Sequence, residues 1–336
     1  MGDKSYKRYK HKSQFKELGK ALSHNAVEQA LYPVVQKKFG EDAKITTVEV
    51  EHLAKRVFTC KIGIANSNKS ETNTWTVVAK TFPDDSNLVK AYELMEDFWK
   101  EGFFRAAKDN ISIPEPLCLA IDIKFMFMEM VSGIKLRKLI KDAENNIAYM
   151  RWYAQTLAKM QRCPIQTNET ITLKNEFDKR KDHYQQLVAA YPELKNSVNY
   201  IIENSVRIEQ TFATDTYMLV HGDYNLGQLH ISEDHCWLLD FGEICMGDPA
   251  WDVGNVLSLS LFTGEKPGVD NKEVLLKIFQ DEYFSIMDHS IARRVPLYQA
   301  YYLLDRTCKY QRSQEPDRMS KIAGMITQAV NYVESF

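Results

Sequence analysis

The stretch "LVHGDYNLGQLHISEDHCWLLDFGEICMGDPAWDVGNV", residues 219–256, sets Asp223, Asp240, Asp248 and Asp252, with His221 and Gln228, between short apolar runs. "YMLV" (217–220) reads as a strand that ends at His221-Gly222-Asp223, so Asp223 falls on a loop at a strand edge. "CWLLD" (236–240) reads as a second short strand that delivers Asp240 at its end. The connection "HISEDHC" is short enough for a hairpin, which predicts that Asp223, Gln228 and Asp240 converge.

Two acids with an amide between them suit a particular chemistry. Phosphoryl transfer needs a carboxylate to orient the attacking hydroxyl, oxygen ligands for Mg²⁺, and a cation on the phosphates. Mg²⁺ prefers hard oxygen donors and takes only one or two from protein carboxylates. An amide oxygen at Gln228 adds a ligand without a third repelling charge. The histidines and Cys236 in the same stretch lack the spacing of a zinc site.

Outward from this stretch the pattern divides. Residues 13–39 have helical apolar spacing, and 45–65 turn to β-branched alternation. "NSNKSETN" reads as a turn and "TWTVVAKTF" as the next strand. Leu88, Ala91, Tyr92, Met95, Phe98 and Trp99 mark a helix. "ISIPEPLCLAIDIKFMFMEMV" holds two more strands, the second apolar on both faces as in the middle of a sheet. Residues 135–210 and 271–334 are helical in pattern, and "TGEKPG" is a turn. The expectation is an α+β chain of two segregated lobes joined near Glu129–Gly133. Its parts are an N-terminal helical extension (1–40), a first lobe (41–131) and a helical second lobe (132–336).

In 336 residues, 43 Lys and Arg against 45 Asp and Glu leave a net charge of −2, which argues against a nucleic-acid partner. No run reaches the roughly 20 apolar residues of a membrane span, and "MGDKSYKRYKHK" lacks a secretory core and reads as a solvated basic tail. Tyr6 also breaks a myristoylation pattern at Gly2. Six scattered cysteines without a CxxC pair fit a reducing compartment, hence a cytoplasmic location.

His221-x-Asp223, Gln228 five residues on, and Asp240-Phe241-Gly242 resemble a kinase catalytic loop followed by DFG. "GDPAWDVGN" is similar to the sequence after the metal-binding Asp of aminoglycoside phosphotransferases and choline kinase-like small-molecule kinases. Gln228 stands where that family usually has Asn, and "HGDYNLGQ" resembles its sugar-kinase branch of maltokinase and glucosamine kinase type. The resemblance implies a bilobal protein-kinase-like fold with an antiparallel-sheet N-lobe and a mostly helical C-lobe. Asp223 would be the catalytic base, and Gln228 and Asp240 the metal ligands. His221 would support the loop, Asp252 anchor its backbone and Asp248 fix the following turn.

The same resemblance implies a strand lysine on the nucleotide, which Lys80 in "TVVAK" supplies on a face shared with Thr76 and Val78. The family's glutamate partner aligns on Ala91, and Glu96 is the nearest acid on the stripe. The carbonyl of Glu129 and the amide of Val131 would meet adenine. The phosphate-covering loop "EHLAKR" has no glycine, and its Lys55 and Arg56 read as exposed turn charges. DFG runs into Asp248-Pro249 with no room for a peptide platform, so the acceptor is a small-molecule hydroxyl.

The implied cofactors are ATP, with GTP as the alternative, and Mg²⁺. The leading expectation is an ATP-dependent kinase of a sugar or amino sugar. The alternatives are an aminoglycoside-type antibiotic phosphotransferase and a catalytically silent kinase-like binding module, the latter motivated by the poor glycine loop. "FDKRKDHYQQL" and "YQAYYLLDRTCKYQR" are candidate acceptor linings, with Asp305, Arg306 or Tyr310 on hydroxyls. Pattern alone leaves the oligomeric state open.

Overall fold

The structure is a computed structural model that describes residues 15, 17–66, 69–140, 146–232, 234–262, 272–312 and 317–336. The basic N-terminal stretch, the middle of "NSNKSETN" and the "TGEKPG" turn lie outside them. The chain forms two compact units. One comprises residues up to Gly133 and takes back His230–Gly242; the other holds Ile134–Leu229 and Glu243 onward.

The first unit is built on a five-stranded sheet. Its strands are β1 (Ala43–Ala54), β2 (Val57–Asn66), β3 (Lys69–Lys80), β5 (Pro116–Ala120) and β6 (Phe125–Glu129), in the order β1-β2-β3-β6-β5. All the pairs are antiparallel. Alternation sorts the two faces, because successive strand side chains point to opposite sides. Phe58, Cys60, Ile62, Val77, Ala79, Phe125 and Phe127 pack into one core with Val27, Leu31 and Val35 of α1 (His24–Phe39). Ser23 starts that helix by accepting a hydrogen bond from the Ala26 amide. On the other face, Thr76, Val78 and Lys80 are half-buried, and register sets Val78 beside Met128 and Lys80 beside Met126.

The apolar stripe seen in the sequence forms α2 (Asp85–Lys100), burying Leu88, Ala91, Leu94, Met95 and Phe98. Asp84 caps it, accepting from the Asn87 amide at 2.8 Å. A short β4 (Ile111–Ser112) runs parallel to β10 (Cys236–Leu238), which neighbours β9 (Leu229–Ile231).

The second unit starts with β7 (Ile134–Lys135) and the single-turn α3 (Leu136–Leu139), and continues through α4 (Asn146–Gln161), α5 (Leu173–Lys179), α6 (Lys181–Ala190) and α7 (Lys195–Glu209). After β8 (Met218–Val220) and β11 (Cys245–Gly247) come α8 (Ala250–Phe262), α9 (Lys272–Ile286), α10 (Val295–Tyr310) and α11 (Arg318–Glu334). The centre is α10, which buries Tyr298, Ala300, Tyr301, Leu303, Leu304, Thr307 and Cys308 around its circumference, as a helix enclosed by others must. It packs against α8 so closely that a Cβ on Gly254 would lie 2.7 Å from Tyr298 Cβ.

The pairing of the quoted stretch differs from the sequence expectation. "YMLV" does not form a hairpin with "CWLLD": β8 pairs antiparallel with β11, setting Val220 opposite Cys245, while "LHI" is itself the strand β9 next to β10. Ser232 donates its amide to the His235 carbonyl and closes the β9–β10 turn. Asp223 and Gln228 thus belong to one unit and Asp240 to the other.

Candidate active site

In the second unit Asp223 is exposed at the end of β8, and its loop is tied down from several sides. Buried Asp252, in the first turn of α8, accepts hydrogen bonds from the backbone amides of His221 (2.7 Å) and Gly222 (3.1 Å). Burial pushes the Asp252 carboxyl up to about 6, with the neighbouring His221 and the two backbone bonds pulling the other way. Gln161 of α4 donates to Asp252 and to the Pro249 carbonyl, and the Tyr283 hydroxyl donates to the Gln161 amide oxygen. The Pro249 carbonyl and the Asp252 carboxylate only accept, so they fix which end of the Gln161 amide faces Asp252.

Gly222 has φ +79°, and a Cβ there would sit 2.8 Å from the Glu243 carbonyl, so the turn before Asp223 requires glycine. After Asp223, the Tyr224 ring is fully buried and stacks on Tyr153 at 4.6 Å, and its hydroxyl donates to the Tyr153 carbonyl at 2.6 Å. His221 is buried with its ring edge-on to Tyr224. The Gln228 amide nitrogen donates to Asp223 Oδ2 at 3.2 Å, and the Gln228 amide oxygen has no hydrogen-bond partner among the described residues. Asp248 accepts from the Ala250 amide at 2.9 Å and from Arg294 Nε, which fixes the entry to α8.

In the first unit Lys80 ends β3 and donates to Asp240 Oδ1 at 2.7 Å. Asp240 lies just past β10 with φ +70°, in the left-handed region that Asp enters more readily than most residues. The Lys80 ammonium also sits 4.9 Å over the Phe82 ring, whose edge would meet a Cβ on Gly242 at 3.0 Å. The lysine's partner is therefore Asp240 and not Glu96, the acid chosen on the helical stripe. Glu96 faces the Tyr92 hydroxyl one turn earlier and helps push that group upward. The β1–β2 turn, the two-residue connection Lys55-Arg56, needs no glycine because neither residue has a positive φ, and Arg56 donates to the Phe82 carbonyl at 3.0 Å.

Glu129 is the last residue of β6. Its amide is spent on the Glu115 carbonyl, and its carboxylate pairs with Arg105 at 3.0 Å. Val131 follows in the irregular segment before Gly133.

Of the acceptor linings, Asp305 is buried and paired with Arg180 and Lys309, each at 2.6 Å, so it joins helices. Tyr310 stacks under Lys321. Arg306 instead reaches Asn255 of α8, and Asn255 donates to the Tyr224 carbonyl. Sequence reasoning did not find Asn255, Gln161, Tyr283 and Tyr302, since buried amides and tyrosines in amphipathic helices carry no pattern of their own.

Asp240 in the first unit and Gln228 in the second each carry a hard oxygen, the donor type that Mg²⁺ prefers. No group of three or more His, Cys, Asp or Glu that could hold a metal ion occurs among the described residues. No described helix is long and apolar enough to cross a membrane.

A profile of the phosphotransferase enzyme family (APH) matches residues 68–276. No curated protein matches the sequence. Among solved structures, the chain is similar to an aminoglycoside phosphotransferase from Alicyclobacillus acidocaldarius at TM-score 0.55 and 12% identity, covering 90% of this chain and 94% of that one. An amicoumacin kinase in complex with AMP-PNP and Ca²⁺ aligns at TM-score 0.56 and 13% identity, over 84% and 88%. A Plasmodium vivax ethanolamine kinase aligns at TM-score 0.51 and 12% identity, over 86% and 83%. The antiparallel-sheet unit and the helical unit are those of a protein-kinase-like fold, and the chain belongs to the phosphotransferase enzyme family as a small-molecule kinase.

Proposed function

We propose that this chain moves the γ-phosphate of ATP to a hydroxyl of a small molecule, with a sugar or amino sugar favoured. One observation carries the reading. Asp223 is exposed at a strand end, while the backbone before it is held by a buried carboxylate and its own carboxylate is met by the Gln228 amide. An acid held in place but open to solvent is what a general base for an incoming hydroxyl needs.

In this reading Asp223 takes the hydroxyl proton, and Lys80 steadies the nucleotide phosphates. Gln228 and Asp240 are the oxygen ligands of Mg²⁺, which when bound neutralises charge on the transferring phosphate. The Glu129 carbonyl and Val131 amide hold adenine, and the half-buried face of Thr76 and Val78 lies along its ring. His221, Asp248 and Asp252 keep the loop in shape. Support for the nucleotide comes from the family and from the AMP-PNP found in a structural neighbour. The sugar preference rests on the sequence "HGDYNLGQ".

The test is product formation by ³¹P NMR from Mg–ATP with a panel of sugars, amino sugars, amino alcohols and aminoglycosides. A new phosphomonoester signal with a sugar or amino sugar supports the reading. ATP binding without transfer to any acceptor supports the silent module instead.

A further inference from the structure

Asp223 is flanked by two backbone carbonyls, and one helix reaches both. The Tyr302 hydroxyl of α10 donates to the Gly222 carbonyl at 3.3 Å. One turn on, Arg306 Nη2 donates to Asn255 Oδ1 at 3.1 Å, and Asn255 Nδ2 donates to the Tyr224 carbonyl at 3.1 Å. The second link is directional. A guanidinium only donates, so it must face the amide oxygen of Asn255 and leave the NH₂ end toward Tyr224. Without it the amide can turn over and set oxygen against oxygen.

Arg306 makes no ion pair among the described residues, although Asp305 beside it makes two. Its Nη1 is buried without a hydrogen-bond partner. Helix packing alone does not account for a guanidinium held this way, since burial disfavours its charge. Among the described residues its side-chain hydrogen bonds go to Asn255, and through Asn255 to the residue after Asp223.

We propose that Tyr302 and Arg306 are positioning residues: α10 splints the carbonyls on either side of Asp223, with Asn255 as the connecting amide. The geometry stands by itself, and the consequence for turnover rests on Asp223 being the base.

The experiment compares full-length wild type with Tyr302→Phe, Arg306→Met and Arg306→Lys. The first readout is hydrogen–deuterium exchange of the peptide covering 219–228. Tyr302→Phe and Arg306→Met should each speed exchange there about tenfold, with the peptides of α11 unchanged. Arg306→Lys, still a pure donor, should stay within about threefold of wild type. Unchanged exchange in both deleting variants overturns the proposal, as does a rise spread evenly over the chain.

The second readout is ADP formation from Mg–ATP with glucose or glucosamine as the added probe, and with water alone. The deleting variants should lose about tenfold in kcat with KM for ATP within twofold. A loss confined to KM for ATP contradicts positioning. Local loosening in a protein whose wild type turns over no ATP would leave the splint standing and sink the reading of Asp223.

Discussion

The two units hold their candidate functional residues by different means. In the first, Lys80 and Asp240 are joined by one ion pair, with Asp240 half exposed and Lys80 laid over Phe82. In the second, Asp223 itself is exposed, but its flanking backbone is held by Asp252 of α8 and Tyr302 of α10, and Gln161 of α4 and Tyr283 of α9 brace Asp252 in turn. A surface pair is screened by water and contributes little to stability, whereas removing one partner of a buried bond leaves an unmet donor or acceptor in a dry interior. The comparison therefore assigns stability and precise placement to the second unit, and adaptable electrostatics to the first. A lysine with the proposed phosphate-binding role has reason to be adaptable, because its partner would change when nucleotide and metal arrive.

The largest test of that contrast is Asp252→Ala. It strips the acceptor from the His221 and Gly222 amides, and thermal or urea unfolding should show a loss of about 2–4 kcal/mol. Asp252→Asn keeps one acceptor oxygen and should lose about half as much. A loss below 0.5 kcal/mol, taken as roughly the size of an ordinary surface substitution, would mean the loop is not held from below.

Next comes Glu209, buried at the end of α7, where its carboxylate accepts from the Leu173 amide and the Tyr298 hydroxyl. Burial pushes it from 4.5 up to about 7. The folded state then holds more protons than the unfolded state between those values, so this group's contribution to stability falls as pH rises through that window and is flat above it. Glu209→Gln should remove that slope. Relative to wild type it should gain about 3 kcal/mol between pH 4 and pH 8, measured by urea unfolding at each pH. An equal difference at both pH values would refute the buried-acid account.

Gly254→Ala probes the contact between α8 and α10. The new methyl meets Tyr298 Cβ and backbone, neither of which can swing aside, and a cost of about 1–3 kcal/mol is expected in the same measurement. The smallest effect belongs to the first unit: Lys80→Met should change stability by only about 0–1 kcal/mol while weakening Mg–ATP binding in calorimetry. A stability loss as large as that of Asp252→Ala would erase the distinction between the units.

How legible this was in the sequence follows the range of the interactions. The first sheet could be read from alternation in 45–65 and the β6 run, and α2 from its stripe, because those patterns are local. Most of the residues proposed for the chemistry stand out through their spacing in one 38-residue stretch. The partner of β8 did not, since "YMLV" pairs with "CMG" across the length of that stretch and passes over a nearer strand. Lys80 was matched to an acid on the neighbouring helix, while its partner lies 160 residues away. Asn255 and Tyr302 are side chains inside apolar helices, and only the fold reveals that they face the carbonyls beside Asp223. Asp305, by contrast, looked like a ligand residue and turned out to be a helix clamp.

The central claim concerns Asp223, and single-turnover transfer from saturating Mg–ATP tests it most directly. With an acceptor that wild type phosphorylates, Asp223→Asn should bind ATP as wild type does and transfer phosphate about 10²–10⁴-fold more slowly, the range expected for loss of a general base. Transfer by Asp223→Asn within threefold of the wild-type rate would contradict the account.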